Sequence, residues 1–506
     1  MPNYFDSHIH LSTKQFVTSP EVASKWNVDR QIDANLLLGL DEICRDRLDS
    51  QSYLGQLQAG NVKLVVTALY AFEREIVPLI KLPIILDRRI MNDQMLFDIR
   101  DGRVPIFSDL LSKEIDYLLL QQNTLGHKFK LRRSMSEVTD NLINVFLSME
   151  GAHCLLPCAY PKPSTEALSA AEEADTLSNL ESLKNRNEIR ILWMNLCHFT
   201  NNPFCIHAFG MPNDRKQYKG FIPSSARFKG ISEFGKNIVR KSLENNAGPN
   251  ENSNRILIDI KHMSLYSRLD YYKMLETEYA GENIPIVCTH AAPAGMSIGQ
   301  RFHTPGSNAP QLKVKRMKGI GANYFNPCSI NLYDEEIRWI VSKGGFITVS
   351  LDQRILGCPN PTPYWFNDPL TDEEYNGMMS HPMQGPLWEN DQDATKDYPS
   401  GRQGGRNLHD QHLDHFCNAI LRLVWAGGLN TWNCIALGSD LDGLVDAINC
   451  CKTTANYPNF ENLLTNRLGE IAAMDSGTSY FTKSIESHVR DLMYENGRRF
   501  LEMHFS

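Results

Sequence analysis

Eight short apolar runs recur along this 506-residue chain, each bounded by turn-forming residues and separated by longer segments of helical period. Few folds accept that alternation. Repeated strand and helix units build a parallel sheet, and eight of them predict an α/β chain closed into a (β/α)8 TIM-type barrel. The runs are residues 4–9, 62–70, 143–149, 191–197, 255–260, 284–288, 346–351 and 434–437. A plain barrel takes roughly 250 residues, so the excess must sit in large βα-loop insertions. These are expected at 72–140, 200–254, 295–330 and 359–408 of a single domain spanning 1–506. The stretch 359–406, dense in Pro, Gly, Asp and Asn, is expected to form a lid over the mouth.

Barrel chemistry sits at the C-terminal ends of the strands, and here those ends are rich in polar groups. The first run ends in Asp6-Ser7-His8-Ile9-His10, the third in Met149-Glu150-Gly151 and the fourth in Cys197-His198-Phe199. The fifth ends in Lys261-His262, the sixth in Thr289-His290 and the eighth in Gly438-Ser439-Asp440-Leu441-Asp442-Gly443. One histidine after a strand is ordinarily a hydrogen-bonded loop or core residue. Five, with two carboxylates, converging on one mouth are expensive to bury unless a metal ion satisfies them. The sharpest local signal is His8 with His10, since residues i and i+2 of an extended strand project to the same face.

Composition narrows the function classes. A formal charge of −8, from 59 acidic and 51 basic residues, argues against nucleic acid or an anionic membrane as partner. No run of about 18 uncharged apolar residues is present, which removes a membrane span. The start Met-Pro-Asn-Tyr-Phe-Asp-Ser-His has neither a charged nor an apolar leader region, and the 12 cysteines form no paired framework. The expectation is therefore a cytoplasmic protein with reduced cysteines, Cys154, Cys158, Cys450 and Cys451 among them as packing residues. Its partner is a small-molecule substrate, and assembly as a homodimer stays open.

Taken in order, several segments resemble the membrane dipeptidase (renal dipeptidase) family of metallopeptidases, a branch of the amidohydrolase superfamily. They are Met149-Glu150-Gly151, Leu196 to Asn201, Gly230 to Gly235, Ile258 to Ser264 and Gly438 to Gly443. Less specific are Asn331 to Ile337, Lys343-Gly344-Gly345 and the closing Glu495 to Leu501. The resemblance implies two divalent metal ions, zinc by default. It makes His8 and His10 ligands of one, with Asp440 completing that site, Glu150 the bridging carboxylate, and His262 and His290 ligands of the other. It also implies Asp440 as base and proton shuttle and His198 as the stabiliser of a developing oxyanion. Asp442 is expected to orient the loop or a ligand imidazole, Lys261 to face outward, and Ser7 and Ser439 to be loop residues.

The chain departs from that family's pattern as a divergent member would. Its first strand carries His8-Ile9-His10 where the family has His-x-Asp, a change that keeps a metal ligand. Ile330 stands where the family places an arginine for the substrate carboxylate. The candidates to replace it are Arg354, after the seventh run, and Arg301, Lys313, Lys315, Arg316 and Lys318 in the third insertion. The expected activity is hydrolysis of an amide in a small carboxylate-bearing molecule, with a dipeptide as first guess. A cyclic amide or lactone, and a non-catalytic metal-binding barrel, remain the alternatives.

Overall fold

The computed structural model describes residues 2–16, 27–32, 49–73, 97–99, 101–157, 168–200, 202–208, 230–245, 254–298, 325–326, 328–358, 381–383, 408–474 and 480–506. Of the expected lid only 381–383 lies among them, and the basic residues of the third insertion fall outside.

Among the described residues nine strands form one sheet: β1 (Tyr4–Ile9), β2 (Val62–Leu69), β3 (Phe129–Leu131), β4 (Ile143–Met149), β5 (Ile191–Asn195), β6 (Leu257–Asp259), β7 (Val287–Ala291), β8 (Phe346–Val349) and β9 (Ile435–Leu437). The paired order is β1-β2-β4-β5-β6-β7-β8-β9, every pair parallel, with β3 off this path against β4. Val, Ile and Leu dominate these strands because helices cover the sheet outside while side chains fill it inside, so neither face meets water. Packed between the strands are α1 (Ser112–Leu125), α2 (Ala170–Lys184), α3 (Glu233–Leu243), α4 (Leu265–Glu278), α5 (Asp334–Ser342) and α6 (Leu408–Gly427). After β9 come α7 (Tyr457–Met474) and α8 (Asn496–His504).

The barrel closes at its rim. An isolated parallel bridge joins Ile9 to Leu441, and the Asp440 and His10 amides donate across it, to His8 O at 2.8 Å and Leu441 O at 2.9 Å. Two expectations shift. Strand β3, inside the first insertion, pairs with the start of β4 at Phe129 and Ile143, ahead of the point where β5 takes over at Leu147. Strand β7 lies three residues later than the apolar run 284–288, because its ladder with β8 begins only at Val287 opposite Phe346. His290 is thereby inside the strand.

Helix α8 seals the end opposite the mouth. Phe500 stacks on Phe346, with ring centroids 4.3 Å apart and planes 7° apart, and Asn496 Nδ2 donates to Trp432 O at 2.6 Å and Ile435 O at 2.7 Å. Gly497 lies so close to the Phe5 ring that a Cβ there would meet its Cδ1 at 2.1 Å.

Candidate metal centre

Glu150 follows directly on β4, where its amide bonds Leu69 O at 2.9 Å and aims the carboxylate into the mouth. Five imidazoles turn the same ring nitrogen toward it. Nε2 of His8, His262 and His290 lie 3.5, 3.2 and 3.5 Å from Glu150 Oε1. Those of His10 and His198 lie 3.3 and 3.7 Å from Oε2. Asp440 closes the group from the β9 side, with Oδ1 3.4 Å from His10 Nε2 and 3.8 Å from His8 Nε2. It is the most open of the seven, at 8% exposure.

Local backbone geometry produces this convergence. Along β1 and just past its end, Asp6, His8 and His10 share a face by strand alternation. Asp6 is used below the mouth, accepting from the amides of His8 and Ser439 and from the hydroxyls of Ser439 and Tyr457. Elsewhere alternation is broken, since His262, His290 and Asp440 adopt φ of 69°, 34° and 65°. Such left-handed conformations are uncommon outside glycine and turn a side chain out of the strand's two-residue rhythm.

One consequence corrects an expectation. Lys261 does not face outward: it is 1% exposed and its Nζ donates to Ile330 O at 3.2 Å. Burial pushes its ammonium down to about 8. Arg354 is occupied too. Its Nε lies 3.0 Å from both carboxylate oxygens of Asp352, its Nη2 2.5 Å from Oδ2, and Nη2 also faces Leu444 O at 3.4 Å. Asp442 orients its loop, accepting from Lys14 Nζ at 2.7 Å, the Gln51 amide at 2.9 Å and the Ser52 amide and hydroxyl at 2.7 Å. Ser7 is a strand residue, its hydroxyl donating to Thr348 Oγ1 at 2.7 Å.

Carboxylates behind the imidazoles were not anticipated. Glu73 accepts from the Phe199 amide at 2.9 Å and from Tyr70, and its Oε2 lies 3.2 Å from His198 Nδ1. Glu114, on α1, takes the Ser12 hydroxyl at 2.7 Å and the Thr13 hydroxyl at 3.4 Å, and Thr13 Oγ1 lies 3.3 Å from His10 Nδ1. Asp259 binds Thr289, which touches two of the imidazoles. Glu73 could have been found from the sequence, because the second run was one of two with no polar end residue assigned and Glu73 stands three residues past Tyr70.

The electrostatics follow from crowding. Burial raises Glu150, but the imidazoles around it more than offset this and hold the carboxyl well below the usual range. Burial lowers His10, yet Asp440 and Glu150 raise it overall to about 10. Burial, together with the neighbouring His198, pushes His262 down to about 3.

Among the described residues, three sets bring ligand atoms within 4.8 Å of one another: His8, His10 and Asp440; His8, Glu150 and His290; and Glu150, His198 and His262. The donors fit divalent metal ions. His8 Nε2 is buried without a hydrogen-bond partner, and the Nε2 atoms of His262 and His290 face each other at 2.9 Å. A cation among these nitrogens would satisfy them. Mixed imidazole and carboxylate donors suit zinc, and also manganese or iron.

No family model and no curated protein sequence matches the chain. Solved structures do. A dipeptidase AC described as a metallopeptidase matches with a TM-score of 0.50 at 15% identity, over 99% of this chain and 98% of that one. A metallopeptidase from Rhodobacter sphaeroides, liganded with a phosphinate mimic of the dipeptide L-Ala-D-Ala, matches with 0.50 at 15% identity over 99% of both chains. PvdM of Pseudomonas aeruginosa, a probable dipeptidase, gives 0.52 at 14% identity, over 99% of this chain and 94% of that one. This chain shares their fold. Among the described residues no helix is long and apolar enough to cross a membrane.

Proposed function

We propose that the chain is a binuclear metal-dependent hydrolase that cleaves an amide bond in a small carboxylate-bearing molecule, in the manner of a dipeptidase. One observation carries the reading: five imidazole Nε2 atoms meet a single buried carboxylate at the C-terminal mouth of the barrel. The fold shared with structures of dipeptidases and metallopeptidases supports it.

His8, His10 and Asp440 would hold one ion and His262 and His290 the other, with Glu150 between them. When bound, such a pair supplies a Lewis acid for the scissile carbonyl and brings the pKa of water toward neutrality. Asp440, the most open carboxylate, accepts the proton of the attacking water and returns it to the leaving amine. His198 donates from Nε2 to the oxygen on which charge develops, its ring held at Nδ1 by Glu73. The apolar Ile330 is buried, so an ordinary dipeptide lacks an arginine contact at that position.

The test combines metal analysis with turnover. Purified protein incubated with zinc is expected to hold about two ions per chain. It should hydrolyse N-acyl amino acids or related amides faster than L,L- or L,D-dipeptides, and Ile330→Arg should improve the dipeptides roughly ten- to a hundred-fold, the worth of a charge-assisted contact. Trace metal content would remove the hydrolase reading. Efficient dipeptide turnover that Ile330→Arg does not improve would make the protein an ordinary dipeptidase.

A further inference from the structure

Four of the five imidazoles have Nδ1 engaged by a neighbouring oxygen, and two of them share one atom. Thr289 Oγ1 lies 3.1 Å from His8 Nδ1 and 2.9 Å from His290 Nδ1. The same oxygen lies 2.5 Å from Asp259 Oδ2. A hydroxyl has one proton and two lone pairs, and Thr289 donates its proton's hydrogen bond to the Asp259 carboxylate, which when ionised can only accept. The other Asp259 oxygen already accepts the amides of Thr289, at 3.1 Å, and Lys261, at 3.0 Å, so the carboxylate cannot turn away. Both lone pairs of Thr289 then face imidazoles, each of which must donate from Nδ1. His8 and His290 are thereby set as the tautomers whose Nε2 lone pairs point at Glu150.

We propose that Thr289 is a positioning residue that joins the two cation positions, aiming one ligand of each through a single hydroxyl. His8 belongs with His10 and Asp440 as well as with Glu150 and His290, so an ion that fixes His8 also fixes the hydroxyl on which His290 depends. Binding at one position therefore orders a ligand of the other. Thr13 offers the natural contrast, since its hydroxyl touches only His10 among the five imidazoles. The inference rests on the proposed function for the two ions and for placing His8 with one and His290 with the other.

The experiment titrates the full chain, stripped of metal, with zinc and reads stoichiometry and both affinities by calorimetry and chelator competition, with circular dichroism as the check on folding. Thr289→Val is expected to weaken both positions, by roughly ten- to a hundred-fold as for other groups that orient ligands. Thr289→Ser should restore both, and Thr13→Val should weaken only one. A nitrogen-15 histidine spectrum of the metal-free wild type should show His8 and His290 protonated at Nδ1. A folded Thr289→Val chain that binds two ions as tightly as wild type, or loses only one, overturns the proposal and leaves the hydrolase reading standing. Protonation at Nε2 of His8 or His290 in the wild type overturns it even if the variant fails to fold. Wild type that binds no zinc sinks both.

Discussion

His262, His290 and Asp440 hold left-handed backbone conformations that cost on the order of 1 to 3 kcal/mol each and persist only where surrounding contacts enforce them. Buried ionisable groups add to that cost, and one lies away from the metal centre. Glu335, in the first turn of α5, accepts the Ile298 amide at 2.9 Å with Oε2, while its buried Oε1 has no hydrogen-bond partner. Its neighbours are better served, Asp334 by Arg422 and Glu336 by Arg268. Burial raises the Glu335 carboxyl from 4.5 to about 8. A raised acid binds its proton more tightly folded than unfolded, so stability falls as pH rises from about 4.5 to 8, by at most about 1.4 kcal/mol per pH unit. Glu335→Gln, which resembles the protonated form, should flatten that slope and raise Tm at pH 8. Thermal unfolding from pH 5 to 8.5 checks it, and an unchanged slope would show that Glu335 ionises freely in the fold. At this scale the ligands themselves were legible, as polar residues at strand ends. Thr289 was not, because strand alternation puts it opposite His290, and only the φ of 34° at His290 brings both to one site.

Apolar runs bounded by turn residues show where a strand lies but not where its ladder begins. The limits of β1 and β4 match their runs because hydrogen bonding starts with the apolar stretch. In β7 the first apolar residues precede the pairing with β8, and β3 is a three-residue segment too short for any period to register. Packing at the closed end is likewise invisible to periodicity. Gly497 of α8 is set by the Phe5 ring, not by a turn, and Phe500 of the same helix stacks on Phe346. Overpacking of this kind costs typically 1 to 3 kcal/mol. Gly497→Ala should therefore lower unfolding stability by about that amount, despite the better helix propensity of alanine, and leave metal stoichiometry unchanged. Denaturant titration measures it. A neutral or stabilising result would mean that α8 moves away from β1 at no cost.

Across the whole molecule, the residues that close the barrel are those that carry the ligands. The Asp440 and His10 amides seal β9 to β1 at the rim, while the side chains of the same two residues face each other across 3.4 Å. Ions held there would tie β1 and the β9 loop to β4, β6 and β7, so binding should stabilise the entire fold and not only the mouth. A ligand that binds only the native state contributes about 2.7 kcal/mol at a hundred-fold excess over its Kd. Chelation should then lower Tm by several degrees, and zinc should restore it. Glu150→Gln and His290→Ala should keep native circular dichroism, lose activity and show little response of Tm to zinc, because each removes a ligand and not a core hydrophobe. Equal Tm values for wild type with chelator and with excess zinc would mean that the rim is closed by its backbone hydrogen bonds alone, and that the convergent imidazoles hold no ion that matters to the fold.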